Sequence, residues 1–144
     1  MPVKTVSDRQ LLRAAADAAR HAYAPYSGFR VGAALLTADG RVIIGGNVEN
    51  ASYGLTLCAE RVAVGAAVAA GCRRFARLAV VGGDRAPARP CGACLQVLAE
   101  FCGPEFPIVI ASRRAPATGQ RLTLSQLLPQ AFALRASRPR RRAP

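Results

Sequence analysis

Two short stretches hold the residue types that can do chemistry, Cys58-Ala59-Glu60-Arg61 and Pro90-Cys91-Gly92-Ala93-Cys94. Each reads as the first turn of a helix. Cysteines at i and i+3 project from one helix face, so Cys91 and Cys94 can grip one ion while Cys58 closes on it from the other stretch. Three thiolates suit zinc. Three protein ligands leave a fourth tetrahedral position for water, which is the arrangement of a catalytic rather than a structural zinc site. Glu60 stands two residues from a ligand, near enough to reach such a water without binding metal, and can act as a general acid/base. Three thiolates around a dication leave net negative charge, which Arg61 and two helix N-termini can offset.

The other two cysteines do not complete the set. Cys72 and Cys102 lie about 21 and about 12 Å along their helices from Cys58 and Cys94, too far for bonds near 2.3 Å, and are expected to be structural. A closed four-cysteine module is thereby disfavoured. With three of five cysteines assigned to metal, a disulfide framework is not expected and a reducing compartment is. His21, the one histidine, has no ligand partner pattern, and no serine sits on a strand-to-helix nucleophile elbow.

The elements that must position these residues follow from periodicity and capping. Ser7 and Gln10 have capping-box spacing, and Leu11, Leu12, Ala15, Ala18, Ala19 and Ala22 recur at helical intervals, predicting a helix over about 8–22. Val31 to Thr37 and Val42 to Gly45 read as strands joined by Ala38-Asp39-Gly40, a hairpin. Residues 47–57 form a loop, and Gly45-Gly46 reads as a strand end and nothing more. A helix from Cys58 to Ala70 is stopped by Gly71. A strand from Ala76 to Gly82, a helix from Cys91 to about Cys102 and a strand from Pro107 to Ser112 come next, and Thr123 with Gln126 caps a last short helix at Ser125 to Leu128. A hairpin followed by alternating helices and strands predicts an α/β three-layer sandwich on a mixed sheet, its later strands joined by right-handed crossovers.

Composition bounds the rest. A chain of 144 residues with 51% hydrophobic content suits one domain with its own core, expected over residues 1–134. The net charge of +12 would draw a chain toward nucleic acid by charge alone. Arg135, Arg138, Arg140, Arg141 and Arg142, however, crowd residues 135–144 with Pro139 and Pro144, which reads as a solvated flexible tail. Lys4, Asp8, Arg9, Arg13, Asp17 and Arg20 leave no apolar signal-peptide core, and no run of about twenty apolar residues exists to span a membrane. A cytoplasmic protein without membrane partners is expected.

The blocks Ala22 to Leu35 (AYAPYSGFRVGAAL), Asn47 to Tyr53 (NVENASY), the two cysteine stretches and Leu127 to Phe132 (LLPQAF) stand in the order found in the small homotetrameric zinc-dependent cytidine deaminases, and the chain resembles that family over roughly residues 7 to 134. The resemblance implies the cytidine deaminase-like fold and hydrolysis of cytidine and 2′-deoxycytidine to uridine and 2′-deoxyuridine, a pyrimidine-salvage reaction. The reaction expected from the resemblance is attack of zinc-held hydroxide on C4, with Glu60 moving protons to the ring nitrogen and the departing ammonia. It further implies that Asn47 and Glu49 hold the sugar hydroxyl, that Phe29 stacks on the base and Ala59 lines the substrate site, and that Tyr53 lies at a subunit junction. Phe132 would reach over the base of a neighbouring subunit.

In one place the chain departs from the family: Leu95 stands where an Arg commonly follows the second paired cysteine. Charge balance at the thiolates is then left to Arg61 and the helix ends. Two other functions remain open on the residues. One is deamination of a related substrate, a nucleoside antibiotic or cytosine in nucleic acid, although a polymer needs an open basic groove. The other is a non-catalytic zinc-stabilised nucleic-acid-binding protein, which needs a fourth ligand and has no use for Glu60.

Overall fold

The structure is a computed structural model and describes residues 5–134; the arginine-rich stretch at 135–144 lies outside the described residues. Helix α1 (Asp8–Ala19) opens the chain, followed by strands β1 (Val31–Thr37) and β2 (Val42–Gly46) and a single 3₁₀ turn at Tyr53–Leu55. Then come α2 (Ala59–Ala69), β3 (Phe75–Gly82), α3 (Gly92–Phe101), β4 (Pro107–Ala111), β5 (Gln120–Thr123) and α4 (Leu124–Leu127).

The strands form one sheet in the order β2-β1-β3-β4-β5. β1 is antiparallel to both β2 and β3, β3 is parallel to β4, and β4 is antiparallel to β5. The mixed sheet and three layers match the expectation from sequence. The later strands are joined by helical crossovers: β2 and β3, both antiparallel to β1, run the same way and are linked through α2 across β1, and the parallel pair β3 and β4 is linked through α3.

Alternation along the central strands explains the layers. Ala34 and Leu36 of β1, Ala79 and Val81 of β3, and Val109 and Ala111 of β4 bury against Leu11, Leu12 and Ala15 of α1. Their neighbours Ala33, Leu35, Leu78, Val80, Ile108 and Ile110 face the opposite way, onto α2 and α3 through Ala63, Ala67, Leu95 and Leu98. Successive side chains point to opposite faces, so strands covered on both sides must be apolar throughout. Leu95 is part of this packing at 5% exposure.

Several element ends move from their expected places. The Ser7–Gln10 capping box forms as the spacing predicts, but α1 stops at Ala19 because Arg20, His21 and Ala22 bond back three residues and tighten the last turn. Cys58 and Cys91 are N-caps rather than first helical residues. The loop after β2 is tied down by bridges from Val48 to Tyr23 and to Leu57. Strand β5 was not expected: it is short and polar at the sheet edge, with Arg121 paired to Asp8 at 2.9 Å. α4 begins one residue earlier than predicted, at Leu124 behind the Thr123 cap.

Gly45 is more than a strand end, which corrects the reading from sequence. A Cβ on Gly45 would lie 2.5 Å from the Ala59 carbonyl oxygen and 2.6 Å from the Ala63 nitrogen. The bare backbone of β2 therefore lets the first turn of α2 settle directly on the sheet, and that turn carries Cys58 and Glu60.

Candidate metal centre and substrate cavity

As N-caps, Cys58 and Cys91 place their sulfurs where two helices begin, beside backbone N–H groups that have no intrahelical partner and carry partial positive charge. Cys94 adds a third sulfur from the first turn of α3. The Sγ atoms of Cys58 and Cys91 are 3.7 Å apart, those of Cys91 and Cys94 3.5 Å apart, and all three lie within 4.8 Å of one another. Sulfurs sharing a tetrahedral ion at about 2.3 Å stand about 3.8 Å apart. Donor set and spacing both fit zinc, and no other such cluster occurs among the described residues. Cys72 and Cys102 stand outside it, as expected; burial pushes the Cys102 thiol up to about 12.

The environment divides the cluster. Burial and the nearby Glu60 carboxylate raise the Cys94 thiol far above its ordinary range. For Cys91 burial acts the same way but is outweighed by the N–H groups of Cys94 and Ala93 and by the neighbouring thiols, so its thiolate is favoured. Arg61 donates through Nη2 to Cys58 Sγ at 3.5 Å and to the Thr56 carbonyl at 3.3 Å, and its pKa is raised chiefly by Cys58. The sequence neighbour of Glu60 thus turns its cation onto the thiol cluster.

Glu60 is 4% exposed. Its Oε2 accepts a hydrogen bond from Cys94 Sγ at 3.7 Å. Burial holds its carboxyl above the usual carboxylate range, against smaller opposing pulls from its own backbone N–H, Cys94 and Arg61. An isolated buried charge is costly, and this one is placed where it can exchange a proton with whatever occupies the space before it.

That space is a cavity of about 180 Å³ whose walls include Phe29, Asn47, Cys58, Ala59, Glu60 and Cys91. Most residues singled out from the sequence therefore meet in one place. Glu49 and Tyr53 do not line it; they line a neighbouring cavity of about 350 Å³ with Tyr26, Ser27, Asn50 and Thr56. Thr56 borders both cavities. Tyr53 meets Tyr26 edge to face and is 78% exposed. Phe132 lies apart, its carbonyl accepting from Gln96 Nε2 at 2.9 Å and its side chain largely exposed.

The amide of Asn47 is already engaged. Its Nδ2 donates to the Phe29 carbonyl and its Oδ1 accepts from the Val31 N–H, both at 2.8 Å. Glu49 accepts from the N–H groups of Tyr26 and Ser27 at 3.0 and 3.1 Å and from the Ser27 hydroxyl. Ser27 and Thr56 escaped the sequence reading. Ser27 lay inside a quoted block and read only as one of the residues that end the first helix, with no role at the site, and nothing around Thr56 marked it.

Residues 5–110, which include all three cysteines and Glu60, match the family model described as the cytidine and deoxycytidylate deaminase zinc-binding region. The chain belongs to this deaminase family. Among curated members, the cytidine deaminase of Halalkalibacterium halodurans is 49% identical over 126 residues, covering 87% of this chain and 94% of that protein. The cytidine deaminase of Mycobacterium tuberculosis is 49% identical over 128 residues, 88% of this chain and 91% of the relative. The crystal structure of the Burkholderia pseudomallei cytidine deaminase superposes with a TM-score of 0.83 at 48% identity, over 88% of this chain and all of that one. The Mycobacterium tuberculosis structure gives 0.76 at 48% identity, over 90% and 100%. The sequence resemblance and the sheet topology thus agree with the deaminase family. No helix among the described residues is long and apolar enough to cross a membrane.

Proposed function

We propose that this chain hydrolyses the C4 amino group of cytidine and 2′-deoxycytidine, giving uridine and 2′-deoxyuridine with release of ammonia, in pyrimidine salvage. The observation that supports this reading most is a single carboxyl, Glu60, buried in the wall of a small cavity and in contact with one of three clustered thiols. Cys58, Cys91 and Cys94 would hold zinc, which when bound supplies a Lewis acid and lowers the pKa of water toward neutrality.

The remaining chemistry belongs to side chains of the chain. Glu60, held above the ordinary carboxylate range by burial, takes a proton near neutral pH more readily than an exposed glutamate and can hand it on. In this reading it takes one proton of the attacking water and passes it to the ring nitrogen, then takes the remaining hydroxyl proton of the C4 adduct and gives it to the amino group, which leaves as ammonia while the C4 carbonyl forms. Arg61 offsets the excess negative charge of three thiolates.

Phe29 offers a flat face for the pyrimidine, and Ala59 adds a small apolar wall. Asn47 keeps one N–H and one lone pair beyond its backbone bonds, and Glu49 Oε2 keeps acceptor capacity beyond Ser27. Together they can meet one sugar hydroxyl, which both donates and accepts. No 2′-hydroxyl is needed for that contact, so ribo- and deoxyribonucleosides are both substrates.

In this reading the described residues 5–134 carry the catalytic domain, and the protein works as a cytoplasmic homotetramer. Phe132 and Tyr53, largely exposed on one chain, then act at subunit junctions, with Phe132 reaching a neighbour's base. Absorbance at the cytosine band, followed with cytidine, 2′-deoxycytidine, cytidine monophosphate and single-stranded DNA, tests the substrate class. Both nucleosides are expected to be consumed, with activity lost to a chelator and regained with zinc. Deamination of the polymer without the nucleosides would overturn the reading.

A further inference from the structure

Between α1 and β1 the chain passes through residues 24–30 outside any helix or long strand, and the backbone groups of Tyr26, Ser27 and Phe29 there are met by side chains. Glu49 Oε1 accepts from the N–H groups of Tyr26 and Ser27. The Ser27 hydroxyl donates its one proton to Glu49 Oε2 and accepts from the Phe29 N–H at 2.9 Å. Gly28 between them has φ +67°, a left-handed bend that glycine adopts at little cost and that folds Phe29 back onto the serine oxygen. On the other side of Phe29, Asn47 Nδ2 holds its carbonyl at 2.8 Å. Both backbone polar groups of Phe29 are therefore fixed by side chains, and the ring lies in the wall of the cavity with Cys58 and Glu60.

We propose that Ser27 is a positioning residue for substrate binding: its hydroxyl joins the Glu49 carboxylate to the Phe29 amide and so sets the Phe29 ring against the substrate. The inference rests on the reading of Phe29 as the face on which the base stacks. A hydroxyl serves here because one atom must donate to a carboxylate and accept from an N–H. Alanine leaves the Phe29 N–H and one carboxylate oxygen without their partner, and the Phe29 segment must then be ordered when substrate arrives rather than beforehand. Stacking is felt alike by substrate and transition state, so its loss raises KM and spares kcat.

The test is steady-state kinetics with cytidine at equal bound zinc for Ser27→Ala, Ser27→Thr, Phe29→Ala and the Ser27→Ala/Phe29→Ala double variant. Phe29→Ala is expected to raise KM on the order of tenfold, within the range of base–aromatic stacking. Ser27→Ala is expected to raise KM about fivefold with kcat little changed, and Ser27→Thr to restore it. In the Phe29→Ala background, Ser27→Ala is expected to add nothing further, because it acts through the ring that is gone.

A Ser27→Ala variant that keeps KM while Phe29→Ala raises it would overturn the inference alone. So would effects that multiply in the double variant, or a fall in kcat with KM unchanged. An unchanged KM in Phe29→Ala would overturn the stacking reading and the inference with it. Should Ser27→Ala fail to fold, Ser27→Cys, with a thiol that donates and accepts only weakly, is read by the same criteria.

Discussion

Glu60 and Arg61 are adjacent in the chain and meet opposite surroundings. Burial raises the carboxyl of Glu60, while the sulfur of Cys58 stabilises the cation of Arg61. Leu95, directly after Cys94, is buried in the core facing α2 and β3 and gives the thiols no charge, so the cation that meets Cys58 is Arg61. Arg61→Ala is accordingly expected to lower both turnover and zinc retention, read as the zinc-to-protein ratio after dialysis against a competing chelator. Unchanged metal content together with unchanged kinetics would remove Arg61 from the charge balance. At this scale the cysteines and Glu60 were legible because metal ligation and helix periodicity fix their spacing. Asn47 and Glu49 were legible only in part: their bonds to the Phe29 segment join residues distant in sequence, and periodicity carries no trace of such pairs.

Two helix starts make the site, and the sheet decides where they start. α2 reaches its place because Gly45 lets the Ala59–Ala63 turn press onto β2. Gly45→Val is expected to force that turn away, with an overpacking cost of about 1–3 kcal/mol, and to loosen the Cys58 ligand with it. Chemical denaturation and zinc content measure the two effects; a variant with wild-type stability and full zinc would show that the close approach is dispensable. The sequence reading missed this because a glycine pair at a strand end looks the same whether or not a helix lies over it. It missed β5 because Gln120 and Arg121 carry no apolar alternation, and the strand is an exposed edge whose charge pairs with Asp8. The apolar strands were plain because both sheet faces are covered and their hydrophobic runs are continuous.

Across the whole molecule, Tyr23, Tyr26, Tyr53, Leu55, Leu57 and Phe132 are exposed on the single chain, while Glu49 and Tyr53 border a second cavity beside the first. Large apolar side chains left uncovered around a site fit assembly through those surfaces. Sedimentation at assay concentrations is expected to give four times the mass of the chain; a monomer with full activity would contradict a site shared between subunits. The central claim concerns the buried carboxyl, and the most direct measurement is the cytidine deamination rate of Glu60→Gln against the natural chain, each at the same bound zinc. Proton transfer of this kind is worth about 10²–10⁴-fold, so a loss of at least that size with the metal retained is the predicted result. A Glu60→Gln protein that holds its zinc and turns over cytidine at nearly the original rate would contradict the account.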